Sequence, residues 1–226
     1  MPTAITKLAL ALQFNLFRAV LTKYLSGHDN IDVAIHASNT MDLFMGLESS
    51  PVDILLLDIS IITESSNDIL EAIRVRYPDI KVLILSEHTD LQIVSDLLEL
   101  GIYGYISKRD EPEELLRAIM AAADNRIYRN KLFTEALYWN RQKNTTTNAN
   151  GPAITLSERE QRVLQMLWDE KSNREIAAQL FIGIRSIEKI RQDMKEKLGI
   201  KSTVGLLKYG IEKKIIEINN KDFLIV

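Results

Sequence analysis

The sequence predicts an α/β unit on an open, doubly wound, five-stranded parallel sheet, followed by a small all-α unit. Three observations carry this. Through about the first 120 residues, short apolar runs alternate with segments of helical period. A polar stretch of low complexity, residues 141–152 (RQKNTTTNANGP), then interrupts the chain and reads as a flexible linker. Beyond it the start signals are those of helices. A chain of 226 residues holds enough apolar mass for two modest cores.

The strand candidates are Lys7–Leu12, Asp32–Ala37, Ile54–Asp58, Lys81–Leu85 and Tyr103–Ile106. Helical stretches lie near 15–26, 40–48, 67–77, 90–100 and 112–124. The runs LLLD, ending at Asp58, and VLIL, ending before Ser86, are apolar throughout, as parallel strands buried on both faces must be. Residues 127–140 read as a further amphipathic helix. After the linker, Ser157-x-x-Glu160 and Ser172-x-x-Glu175 match capping boxes, in which hydroxyl and carboxylate satisfy orphan amides of a first turn. This divides the chain into residues 1–125, a helix and linker over 126–153, and residues 154–226. The tail from Lys213 carries two apolar runs around Asn219–Asp222, read either as a hairpin turn or as an end packed on its own domain.

The absence of cysteine excludes disulfides, thiolate metal sites and cysteine nucleophiles. Three scattered histidines argue against a metal centre, and no Gly-rich phosphate loop or cofactor motif is present. Ile5–Phe17 is apolar like a signal peptide, but it lacks a basic start and a cleavage pattern and continues as a helix at Arg18 and Lys23. No apolar run has bilayer length. The sequence therefore predicts a cytoplasmic protein that does not enter the membrane.

The net charge of −3 hides an asymmetry. Residues 1–125 carry 9 Lys/Arg against 19 Asp/Glu, whereas residues 126–153 carry 5 against 1 and residues 154–226 carry 14 against 11. Only the second half suits a polyanion.

In the third helix expected there, Ile187, Ile190, Met194 and Leu198 recur at core spacing. The opposite face then presents Arg185, Glu188, Lys189, Gln192 and Lys195. Such a face fits a major groove, with Arg185 and Lys195 at phosphates and Glu188, Lys189 and Gln192 at base edges. A charged helix face standing in water is the simpler alternative.

The larger pattern comprises Leu156-Ser157-x-Arg159-Glu160, Val163-Leu164, Ser172-Asn173-x-Glu175-Ile176-Ala177, Leu180-Phe181-Ile182, Ser186-Ile187-Glu188 and Lys197-Leu198-Gly199. It resembles the LuxR-type helix-turn-helix of NarL/FixJ response regulators. The resemblance implies double-stranded DNA as partner, a homodimer on two half-sites, and Ser186 beside the charged residues above in the DNA-binding set. Ile190 stands where that family usually has His, and Asp193 where it often has Asn or a basic residue.

Residues 5–124 resemble the receiver domain of response regulators, a flavodoxin-like fold, with GYISKRDEPEELLRAI especially close. The resemblance implies a phosphoacceptor position at Asp58, with Ser86, Tyr105 and Lys108 as switch residues. It also implies a sensor kinase or another regulatory protein as partner. Receivers carry an acidic pair after the first strand to hold Mg²⁺, a cation anchored by carboxylates. Leu12 and Gln13 stand there instead. Ile62 and Ser66 replace a Pro and a Gly of the following loop, and Glu64 is a conceivable substitute ligand.

These features predict a sequence-specific DNA-binding regulator under phosphorylation-independent control, without enzymatic activity, metal or cofactor. Three alternatives stay open. They are a conventional response regulator phosphorylated on Asp58, an adaptor that has lost DNA, and a cofactor-binding flavodoxin-like protein.

Overall fold

The sheet is built from short, largely apolar runs of the chain. A computed structural model describes residues 5–61, 66–143 and 155–216, with the side chains of 66–68 and 140–143 excepted. Strands β1 (Thr6–Ala11), β2 (Ile31–Ala37), β3 (Ile54–Asp58), β4 (Lys81–Ser86) and β5 (Gly104–Ser107) form one parallel sheet in the order β2-β1-β3-β4-β5. β3 is buried along its whole length. β2, at an edge, alternates instead, with Ile31, Ile35 and Ala37 inward and Asp32 and His36 outward. The connecting helices are α1 (Asn15–Leu25), α2 (Thr40–Ser49), α3 (Ser66–Arg76), α4 (Leu91–Glu99) and α5 (Pro112–Ala123). α5 begins with Pro112 and follows it with Glu113 and Glu114, which suits the positive end of the helix dipole.

The chain forms two compact units. One holds the residues up to His88 together with Gly104–Ala123, and so contains the whole sheet. The other joins Thr89–Tyr103 to the residues from Asp124 onward. It comprises α4, α6 (Lys131–Lys143), α7 (Glu158–Trp168), α8 (Asn173–Gln179), α9 (Ile184–Leu198) and α10 (Thr203–Glu212).

The expected helix over 127–140 starts later, at Lys131. Asn130 caps it, its side chain accepting from the Phe133 amide at 2.9 Å. The residues before it are pinned instead. The Tyr128 amide donates to the Tyr103 carbonyl at 2.7 Å. Arg129, 7% exposed, lays its guanidinium 3.9 Å from the Trp168 ring centroid, donates to the Trp168 carbonyl and pairs with Glu170 at 3.2 Å. Tyr138 meets the same indole edge-on. Trp168, fully buried, therefore ties α7 to α6 and the segment before it.

Both capping boxes form as expected, Ser157 with Glu160 on α7 and Ser172 with Glu175 on α8. α9 ends at Gly199, whose φ of 66° is the left-handed conformation that glycine adopts without penalty. The linker over 141–152 lies largely outside the described residues, as do Glu64, Ile62, the Asn219–Asp222 turn and the end of the tail. Among the described residues no helix is long and apolar enough to cross a membrane.

Candidate functional sites

The sheet brings Asp58, Ser86, Tyr105 and Lys108 together. Asp58 ends β3 opposite Leu85, Ser86 ends β4 opposite Ser107, and the Lys108 amide donates to the Ser86 carbonyl at 2.8 Å. Parallel strands in this order present their carboxyl ends on one edge, where such folds hold their sites.

Asp58 has no solvent exposure. One carboxylate oxygen faces the Lys108 ammonium at 2.7 Å, and the other accepts from the Ser60 amide at 3.0 Å. The Lys108 side chain is 13% exposed, with its ammonium 5.9 Å from the Phe17 ring centroid. The pair thus sits in a nearly dry setting, where removing either partner strands a charge.

Ser86 is buried, and its hydroxyl accepts from the His88 amide at 3.1 Å. Tyr105 is also fully buried, donating to the His88 carbonyl at 2.8 Å. Burial pushes its phenol above the ordinary range, with the Ser86 hydroxyl pulling the other way.

Leu12 and Gln13 differ from each other. Leu12 is fully buried, its amide donating to the Ala37 carbonyl at 3.0 Å and its carbonyl accepting from Arg18. Gln13 is exposed. Among the described residues no group of three or more His, Asp and Glu stands where it could hold a metal ion. A buried leucine, an exposed amide and one lysine-paired carboxylate do not fit Mg²⁺, which wants several hard oxygen ligands.

In the second unit, α8 and α9 make a helix-turn-helix. Ile187 and Met194 are buried as expected, but Ile190 and Leu198 are only half-buried. Arg191 takes an inward position that the apolar pattern had not assigned to it. Its guanidinium donates to Asn173 Oδ1 at 2.6 Å and to Thr203 Oγ1 at 2.8 Å, so one buried cation links α8, α9 and α10. The signal was present in the spacing, because residues 187, 191, 194 and 198 form a closer helical row than one running through 190.

Arg185, Ser186, Glu188, Lys189 and Gln192 are all exposed on α9. Gln192 donates to Glu196 at 2.7 Å. Lys195 is half-buried at the border of this face, and burial, then the neighbouring Arg191, hold its ammonium below the ordinary lysine range while Glu196 opposes them. Asp193 is exposed as well, so the outer face mixes both signs. Ile184, also exposed, begins the helix after Gly183, a cap position that offers no side-chain hydrogen bond.

Comparison with known proteins agrees with both halves. The family described as "Response regulator receiver domain" matches residues 14–120, and "Bacterial regulatory proteins, luxR family" matches residues 154–209. The chain is 27% identical over 215 residues to the oxygen regulatory protein NreC of Staphylococcus aureus (strain MRSA252), covering 93% of this chain and 99% of that protein. Among solved structures, RcsB of Salmonella enterica serovar Typhimurium bound to promoter rprA in the presence of the phosphomimetic BeF3- aligns with a TM-score of 0.52 at 20% identity, over 91% of this chain and 98% of that one. A structure of two RcsB dimers bound to two parallel DNAs aligns with a TM-score of 0.56, also at 20% identity, over 92% and 98%. At that identity these likenesses establish a shared fold. With a receiver matched in its first half and a LuxR-family helix-turn-helix in its second, this chain is a DNA-binding response regulator of the NarL/FixJ type, a transcription factor and not an enzyme.

Proposed function

We propose that this regulator binds double-stranded DNA as a homodimer through α9 and is controlled without phosphorylation of Asp58. The observation that carries the second part is the closed Asp58–Lys108 pair at 2.7 Å, together with the burial of Leu12. Transfer of a phosphoryl group concentrates negative charge on its equatorial oxygens, and a metal ion ordinarily neutralises it. Among the described residues the ion pair that Asp58 makes is with Lys108, a cation already engaged. Control then passes to another regulatory protein or ligand rather than to a sensor kinase.

On α9, Arg185 and Lys195 hold phosphates, while Ser186, Glu188, Lys189 and Gln192 approach base edges. The exposure of Arg185, Ser186, Glu188, Lys189 and Gln192 along one side of a 15-residue helix, with Lys195 at its border, supports this assignment. A dimer follows because one short helix reads too few base pairs for useful specificity. A compartment containing DNA, the cytoplasm, is the place for this activity.

The test treats the full chain with acetyl phosphate and Mg²⁺, then measures intact mass and DNA affinity. The expected result is no phosphoryl adduct and no change in affinity. A stoichiometric adduct on Asp58 with a matching gain in affinity would return the protein to conventional control, the reading that the cluster of Asp58, Ser86 and Lys108 favours. Absence of DNA binding even at low salt would instead favour an adaptor role.

A further inference from the structure

The turn leading into α9 carries an apolar edge that neither the core nor the charged face accounts for. Phe181 is 94% exposed and Ile184 is 46% exposed. In the apolar triplet Leu180-Phe181-Ile182 the outer two residues are half-buried, and the Ile182 amide donates to the Ala177 carbonyl at 3.0 Å. Phe181 has a φ of 54°, unusual for a residue with a large side chain. That backbone conformation turns the ring out of the domain while its neighbours pack against it. Gly183, between the two exposed residues, adds no side chain, and a Cβ there would meet only the Ser186 hydroxyl, at 3.9 Å.

Ile184 is also in register with the charged face. Positions 184, 188 and 192 fall one turn apart, so Ile184 starts the row continued by Glu188 and Gln192. Exposed on the outer part of α9 are Arg185 and Lys189, but also Glu188, Asp193 and Glu196. A face with that balance gains little sequence discrimination from charge alone. Major grooves, however, offer one apolar feature: the C5-methyl of thymine. Duplex DNA is the partner that combines an anionic backbone, suited to Arg185 and Lys195, with apolar spots at fixed positions.

We infer that Phe181 and Ile184 form an apolar reading edge that contacts thymine methyl groups where the N-terminus of α9 enters the half-site. This rests on the assignment of α9 as the DNA-reading helix and adds residues that assignment does not use. Phe181 and Ile184 set a preference for thymine, and the charged residues supply phosphate attraction and polar readout.

The experiment begins by letting the full chain select duplexes from a random pool. Each thymine of the preferred duplex is then replaced singly by uracil, which differs by the methyl alone. For the wild type, one or two positions in each half-site should lose affinity by about three- to fivefold, the worth of burying one methyl group. Ile184→Ala should abolish the loss at one of these positions and Phe181→Ala at its neighbour. Ile184→Val, which keeps branched methyls, should retain it. The salt dependence of binding should be unchanged in all three, because no phosphate contact is removed. Both side chains are exposed, so thermal melting followed by circular dichroism should match the wild type. A flat uracil scan, or a scan identical in the wild type and both alanine variants, would overturn the inference while leaving α9 as a DNA-reading helix. A pool from which no sequence is enriched would overturn that assignment and this inference together.

Discussion

Asp58 and Lys108 neutralise each other in a nearly dry setting, whereas Arg185, Glu188 and Lys189 of α9 stand exposed to solvent. Buried as it is, the first pair has little left to offer a ligand, and its exchange for any other partner requires breaking a contact of low dielectric. The proposed DNA-reading face of α9 is the reverse: Arg185, Glu188 and Lys189 are exposed, as the exchange of water for phosphate or base requires. One kind of side chain thus serves two ends. Lysine is buried against a carboxylate at position 108 and exposed at position 189, and burial is what separates their surroundings.

The sharpest way to break this contrast is ionic strength. With two phosphate contacts from each protomer of a dimer, affinity for DNA should fall on the order of 100-fold between 50 and 200 mM salt. Arg185→Ala should reduce the slope and weaken binding to all sequences alike. Fluorescence anisotropy on two unrelated duplexes checks both points. If Arg185→Ala altered sequence preference instead, the division between positioning and reading residues on α9 would be misdrawn.

A second break is aimed at the closed site. Asp58→Ala leaves the Lys108 ammonium unpaired at 13% side-chain exposure and should destabilise the first unit by about 3–5 kcal/mol in urea denaturation. Asp58→Asn keeps an acceptor for the Ser60 amide and should cost less, with DNA affinity close to wild type. A large loss of DNA affinity in the Asn variant, without loss of stability, would mean that the carboxylate charge itself takes part in signalling.

Much of this contrast was legible in the sequence, and the exceptions have physical reasons. β3 and β4 were readable because ILLLD and VLIL leave a buried parallel strand as their natural state, and Asp58, Ser86 and Lys108 followed from the strand ends. The capping boxes at Ser157 and Ser172 were local patterns, complete within four residues. Arg191 was missed because its partners lie 18 and 12 residues away, at Asn173 and Thr203. Without them an arginine in an amphipathic helix reads as an outer residue. The segment before α6 was missed for a similar reason: Arg129 is held by Trp168, 39 residues on. In Leu180-Phe181-Ile182, composition gives no sign of which residue turns outward, since that choice belongs to the backbone at Phe181. Charges with distant neutral partners and apolar groups turned out by local conformation both escape pattern reading.

Arg191 sharpens the comparison further, because it is another buried cation, satisfied by an amide and a hydroxyl. Arg191→Met should cost about 1–3 kcal/mol through the unsatisfied Asn173 carbonyl. Asn173→Ala and Thr203→Ala should each cost part of that, and a double-mutant cycle should show coupling. At the exposed face, Gln192→Ala should change preference at one base pair by about 1–3 kcal/mol with little effect on stability. A panel of single-base duplex variants measures it.

The smallest expected effect concerns the two capping carboxylates, which lie between the extremes, hydrogen-bonded but not sealed. The Glu175 carboxyl is held below its ordinary range by the Ser172 amide, at 2.7 Å, and hydroxyl. At Glu160 partial burial pushes the carboxyl up, but the Ser157 amide at 2.6 Å, with Lys197 and the Ser157 hydroxyl, outweighs it and holds the group low. A carboxyl whose folded pKa is depressed adds stability that is fully present above its unfolded value, about 4.3, and is lost as pH falls through the folded one. Glutamine completes a capping box but does not ionise in this range. The double variant Glu160→Gln/Glu175→Gln should therefore melt about 2–4 °C below the wild type at pH 7. The difference should shrink as pH falls below the ordinary carboxylate range and vanish once both glutamates are protonated. A gap that stayed constant down to the acid transition would mean that shape, and not charge, makes glutamate the better cap at these two helices.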